Sequence, residues 1–252
     1  MVARHAVLAL IVACSGNKAR VGDDAVHATP RGDAAAPADA APPPSGDLQV
    51  RVEWKDVPAV MRNSPGRTPC NTPRAASLAP TTTWGLPDVI ILVEGVTAQP
   101  GEVRVVVGEC ALRPRLAAGS SLVVESAAAG PTKVTIAKHG ELGQLEALRA
   151  EGPRTIQLPI AGHAVTIPLD AGGVYQLAVE GKDPETAWIV AAPAAITEAN
   201  GQAVIRGVAV GKHAVTAWLP ARGNQLARVA TGTATVVANE LAELAIDLEP
   251  SP

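Results

Sequence analysis

The chain has 252 residues, 47% of them hydrophobic, which is enough apolar material for one large packed core or two small ones. With no Phe, one Tyr and four Trp, that core must be filled by Val, Ile, Leu and Ala, and Trp54, Trp84, Trp188 and Trp218 are expected to anchor it. The 21 basic and 24 acidic side chains are interspersed and leave a net charge of −3, so there is no basic surface of the kind that draws nucleic acid.

Met1 to Cys14, MVARHAVLALIVAC, has a basic start at Arg4 and His5, an apolar run from Ala6 to Val12, and Ala13-Cys14 at its end. The apolar run is far below the ~20 residues a spanning helix needs and has the form of an export signal. Ile11, Val12, Ala13 and Cys14 resemble the bacterial lipobox, an aliphatic residue three before the cysteine and a small one directly before it. The resemblance implies a signal peptide over 1–13, lipidation of Cys14, and attachment to the membrane through that lipid. Ser15 in the following position implies sorting to the outer membrane, facing the periplasm or the surface. Residues 14–46, including RGDAAAPADAAPPPSGD, have no apolar periodicity and are expected to form a flexible tether. The Arg31-Gly32-Asp33 triplet falls in this low-complexity stretch and reads as chance.

The folded part is expected from Asp47. In LQVRVEW, Leu48, Val50, Val52 and Trp54 fall on one face and Gln49, Arg51 and Glu53 on the other, the period-two pattern of a half-buried strand. Asp56 to Thr83 is rich in proline and is expected to be a long irregular connection. Leu86 to Glu125 then reads as strand, turn, strand, turn, strand, with β-branched runs DVIILV, VRVVV and SLVVE. PTKVTIAK is a further alternating strand. In HGELGQLEALRAEG, Leu142, Leu145 and Leu148 recur at spacing three, which predicts one short helix between His139 and Gly152. Strands return at RTIQLPI, HAVTIPL, VYQLAVE, AWIVAA, AAITE, QAVIRGV, KHAVTAWL, ARVATGTATVV and LAELAIDL, punctuated by Gly- and Asn-rich turns. The fold class is therefore all-β, a Greek-key sandwich with one short helix and a second, smaller sandwich element.

Once Cys14 carries lipid, Cys70 and Cys110 are the two thiols left, and in an oxidising compartment they are expected to pair. Closing that loop stabilises by roughly 4 kcal/mol in the chain-entropy model. The alternative is two unpaired buried thiols.

The ordered series PDVIILVEGV, GEC-ALRPRL, GSSLVVES, GGVYQLAVEG and AWIVAAPAAITEANGQAVIRGVAVGKHAVTAWLP resembles the cupredoxin-like proteins related to methylamine-utilisation proteins. Cys110 with Pro114-Arg115 fits that family's C-x-x-x-P-R segment, and Trp188, Gly201, Val208, Gly211, His213 and Trp218 fit its terminal element. The resemblance covers about Leu86 to Pro220. It implies a cupredoxin-like sandwich over about 100–190, preceded by N-terminal strands and the proline-rich connection over 47–99. NGQAVIRGVAVGKHAVTAW also resembles the carboxypeptidase-regulatory or transthyretin-like sandwich, which implies such an element over 191–252. The two parts are then either sequential or nested, the first inserted into a sandwich made from both ends of the chain.

The family's copper ligands do not carry over. A type 1 site needs converging thiolate and imidazoles, whereas Ala128 to Thr132 is AAGPT, Gly172 to Thr186 holds no Cys, His or Met, and the one Met of the mature chain is Met61. No cofactor is therefore expected. His27, His139, His163 and His213 share no metal-ligand spacing, and no G-x-S-x-G or phosphate-binding glycine loop is present. Asp170, Glu180, Asp183 and Glu185 cluster around two turns and could hold a hard cation or be simply solvated. The expected function is non-catalytic, a lipid-anchored envelope module that binds a partner protein or supports an assembly, with His213 and Trp218 as candidate contacts. The alternatives are a copper-binding or electron-transfer protein with altered ligands, and a glycan-binding module.

Overall fold

A computed structural model describes residues 43–55, 57, 84–96, 100–108, 111–180, 186–222 and 227–248. Cys14, Cys70, Cys110, Met61, His27, Asp183 and Glu185 lie outside these residues, and with them the lipidation site and the expected disulfide.

The strands run in chain order as β1 (Ser45–Glu53), β2 (Ile90–Val93), β3 (Glu102–Val107), β4 (Leu112–Arg113), β5 (Leu116–Ala118) and β6 (Ser121–Ser126). They continue as β7 (Thr132–Glu141), β8 (Glu151–Leu158), β9 (Ala164–Pro168), β10 (Gly173–Val179) and β11 (Thr186–Val190). The last five are β12 (Ala195–Ile196), β13 (Gln202–Ala209), β14 (Gly211–Leu219), β15 (Arg228–Val236) and β16 (Leu241–Asp247). They form four sheets, ordered β13-β1-β16, β12-β2-β14-β15, β5-β11-β10-β7-β8 and β4-β3-β6-β9. The fold is an all-β sandwich type.

The first two sheets enclose one core, in which Leu48, Val50, Val52 and Trp54 of the β1 segment meet Ile91, Val215, Ala217 and Leu219. The other two enclose a second core of Val103, Val105, Leu122, Val124, Val134, Ile136, Leu177 and Ile189. Both chain ends therefore build an outer sandwich, and β3 to β11 build an inserted one. The middle sheets bury both faces, because Ile90 and Trp218 on one pack with Val174, Trp188 and Val190 on the other. Two-sided burial accounts for the unbroken apolar run IILV in β2, where alternation would mark a half-exposed strand.

Trp188 and Trp218 meet edge to face, with ring centroids 5.6 Å apart, a geometry that adds about 0.5–1.5 kcal/mol to the area they bury. Trp188 Nε1 also donates to Ala221 O at 3.0 Å, which ties the inserted sandwich to the end of β14. Within the inserted sandwich, Tyr175 Oη accepts the Asp170 N–H at 2.8 Å, a local tie like the tyrosine corner of Greek-key sandwiches. In the outer one, Thr197 is buried, donates through Oγ1 to Leu86 O at 2.7 Å and accepts the Val89 N–H at 2.9 Å. The chain crosses itself closely at Gly85, where a Cβ would stand 2.2 Å from Asn200 O.

Two expectations are corrected. No helix forms between His139 and Gly152: β7 runs on to Glu141, a single 3-10 turn occupies Leu142–Gln144, and β8 starts at Glu151. Leu142, Leu145 and Leu148 still face apolar surface, covering Val174 and Trp188 from a loop. Trp84 is no core anchor, since it is 41% exposed at a positive φ of 64°. The strand block from Leu86 to Glu125 is shared between the sandwiches, β2 belonging to the outer one and β3 and β6 to the inserted one.

Candidate functional site

His213 lies on β14 with each ring nitrogen facing a carbonyl oxygen, Nδ1 at 2.9 Å from Glu94 O and Nε2 at 2.7 Å from Ala209 O. It therefore clamps the ends of β2 and β13. Trp218 is wholly buried at the junction, so its ring offers no surface for a partner to touch. His139 packs edge-on to Trp188 at 4.9 Å, and burial lowers its pKa, partly offset by a hydrogen bond with Gln176. His163 stands in the exposed turn before β9.

The two described residues of the acidic cluster, Asp170 and Glu180, are occupied by lysines. Asp170 pairs with Lys138 at 3.2 Å, and Lys138 also pairs with Glu141 at 2.6 Å. Hydrogen bonds to Glu141 and then Asp170 hold the Lys138 ammonium above its ordinary pKa, and the bond from Lys138 holds Asp170 below its own. A lysine so held stays protonated and is no nucleophile. Glu180 faces Lys133 at 3.8 Å. Among the described residues, no group of three His, Cys, Asp or Glu converges.

Grooves are present among the described residues, and two bear on function. One, of about 610 Å³, lies at an end of the inserted sandwich, where Ala128 to Thr132 meets Val179 and Glu180, with Lys133 and Gln157 beside them. The two segments that the cupredoxin resemblance singles out thus come together. Their described side chains offer a hydroxyl, an ammonium, an amide and a carboxylate, a donor set that does not fit type 1 copper.

The other groove, of about 360 Å³, runs along the seam between the sandwiches. Ile91, Val93 and Val96 form one wall, Ile205 and Val204 another, and Pro100, Gly101 and Ala118 of the inserted sandwich close its side. Arg206 stands in this lining and is exposed, with no acidic partner among the described residues. A mostly apolar concavity between two packed units, with a charged group in its lining, is the usual form of a binding site. Sequence reasoning missed it. The alternation in QAVIRG marks Val204 as outward-facing, but the facing wall is supplied by strands far away in the chain.

Among the described residues no helix is long and apolar enough to cross a membrane. No family model and no curated protein sequence matches the chain.

Proposed function

We propose that this chain is a lipid-anchored, non-catalytic protein of the cell envelope, held at the outer membrane through Cys14, whose double sandwich binds a partner. The anchor is supported by the order Ile11-Val12-Ala13-Cys14 after a basic, apolar leader. Binding is supported by one structural observation, the apolar seam groove with Arg206 in its lining. A cupredoxin-like ancestry for the inserted sandwich and a Cys70–Cys110 disulfide belong to the same reading.

The test is the mass of the mature chain from a bacterial host that processes lipoproteins. An N-terminus at Cys14 carrying acyl mass is expected, and the Cys14→Ser chain should lose it along with membrane retention. A mature terminus elsewhere without acyl mass would overturn the anchor, and robust turnover of hydrolase or redox substrates would overturn the binding role. A glycan-binding role has one feature in its favour, the exposed ring of Trp84. Quenching of Trp fluorescence by cell-wall fragments, lost in Trp84→Ala, would establish it instead.

A further inference from the structure

Two sheet edges open into the seam groove, and their backbone directions follow from the register. Along β2, Glu94 N–H donates to Ala214 O of β14 at 2.9 Å. With alternation of period two, Leu92 and Ile90 also face β14, while Ile91 and Val93 direct their N–H and C=O to the opposite side. On that side β12 pairs with Ile91 through Ala195 and goes no further. The preceding Pro193, also in the groove lining, has no N–H to offer. The amide and carbonyl of Val93 therefore look into the groove without a strand partner among the described residues.

The same holds across the groove. Val52 N–H donates to Gly201 O at 2.9 Å, so Gly201, Ala203 and Ile205 face β1 and Val204 faces away from it, at the edge of its sheet. Outward groups at the start of this edge are used: Gln202 N–H donates to Asn200 Oδ1 and Gln202 O accepts from Glu198 N. Val204 has no such partner among the described residues, and its side chain is 49% exposed. The next outward residue along the edge is Arg206.

We infer that the seam groove receives an extended segment of a partner protein, added as a short strand between the open edges at Val93 and Val204. Small apolar side chains of that segment enter beside Val96, Val204 and Ile205, the lining residues that keep exposed surface, and a carboxylate meets Arg206. Backbone pairing supplies the attraction and the alternating side chains supply the selectivity. The unpaired guanidinium selects an acidic segment over a basic one. This inference rests on the binding role proposed above and does not depend on acylation of Cys14, which the mass measurement reads separately.

The test is residue-resolved amide exchange on the full chain, with an end-blocked hexapeptide of alternating valine and aspartate as probe. In the free chain, Val93 and Val204 should exchange at least about tenfold faster than their neighbours Leu92 and Ala203, whose amides lie in ladders. The probe should slow both. Val204→Pro, which removes an outward N–H and leaves the β1 ladder intact, should abolish the slowing at unchanged thermal midpoint. Arg206→Glu should weaken the acidic probe by roughly tenfold and favour a valine–lysine counterpart. Slow exchange of Val93 and Val204 in the free chain would show that the edges are already filled and would overturn the inference. So would protection by laurate with none by either peptide, which would make the groove an acyl site.

Discussion

In the inserted sandwich, the edge strand β8 is exposed along most of its length, yet it carries Gly152 at φ 49° and Pro153, between Glu151 and Arg154. A proline without an N–H, a left-handed glycine and flanking charges are the usual means of keeping a free edge from pairing with another chain. The outer sandwich treats its β13 edge differently. From Gln202 to Ile205 this edge has no proline, glycine or charge, and its left-handed glycines, Gly201 at φ 78° and Gly207 at φ 67°, stand on either side of that stretch. One free edge is protected against strand addition and the other is left able to accept it, although both belong to sandwiches with well-filled aliphatic cores. The difference singles out the β13 edge as the one without that protection.

Three perturbations test how separate the two sandwiches are. The largest effect is expected from Trp218→Ala, which empties the junction on the outer side and removes the ring that meets Trp188. A fully buried Trp lost to Ala costs about 3–5 kcal/mol, and denaturant unfolding followed in each sandwich should shift to the same midpoint. Two separated transitions would show that the sandwiches fold independently and that the junction is mere contact. Next, Thr197→Val keeps the shape and removes a hydroxyl that serves both Leu86 O and Val89 N–H. The stranded buried groups should cost about 1–3 kcal/mol, with amide protection falling around β2 and β12 and unchanged in β6 and β7.

The smallest effect concerns pH. Burial lowers the His139 pKa, so the folded state holds this ring neutral while the unfolded chain takes up a proton near the ordinary value of 6.5. The unfolded state then binds more protons below that pH, and stability falls as pH drops until the folded ring itself is protonated. His139→Gln should lose less stability than the parent chain between about pH 7.5 and about pH 5.5. An equal loss in both would place the titration elsewhere.

The strands were legible because their cause is local. Leu48, Val50, Val52 and Trp54 alternate in the sequence and are buried in that alternation. The leucines at 142, 145 and 148 misled for a physical reason. Spacing three marks one apolar side of a segment, and a loop laid over a sheet meets that condition as well as a helix does. With Gly140 at φ 120° and Gly152 at φ 49°, the segment is too short for a helix to stand without tertiary support. The exposure of Trp84 was illegible because ring type predicts burial while a left-handed backbone turned this ring outward. The candidate site was least legible of all. Its openness depends on β12 stopping at Ala195 and on a register set between distant strands, and neither leaves a mark in the residues of the groove themselves.

The pairing of Ile91 with Ala195 also sets the cost of closing the outer sandwich. These two residues flank the entire inserted sandwich, so the outer sheets join segments that emerge early and late from the ribosome. Bringing them together as a free chain carries the closure entropy of a very long loop. Once β3 to β11 have folded, the exit and entry points stand one strand spacing apart and that loop has become short. Folding β3 to β11 first therefore lowers the entropic cost of closing the outer sandwich, and a chain halted before β12 would present β1 and β2 without the strands they pair with.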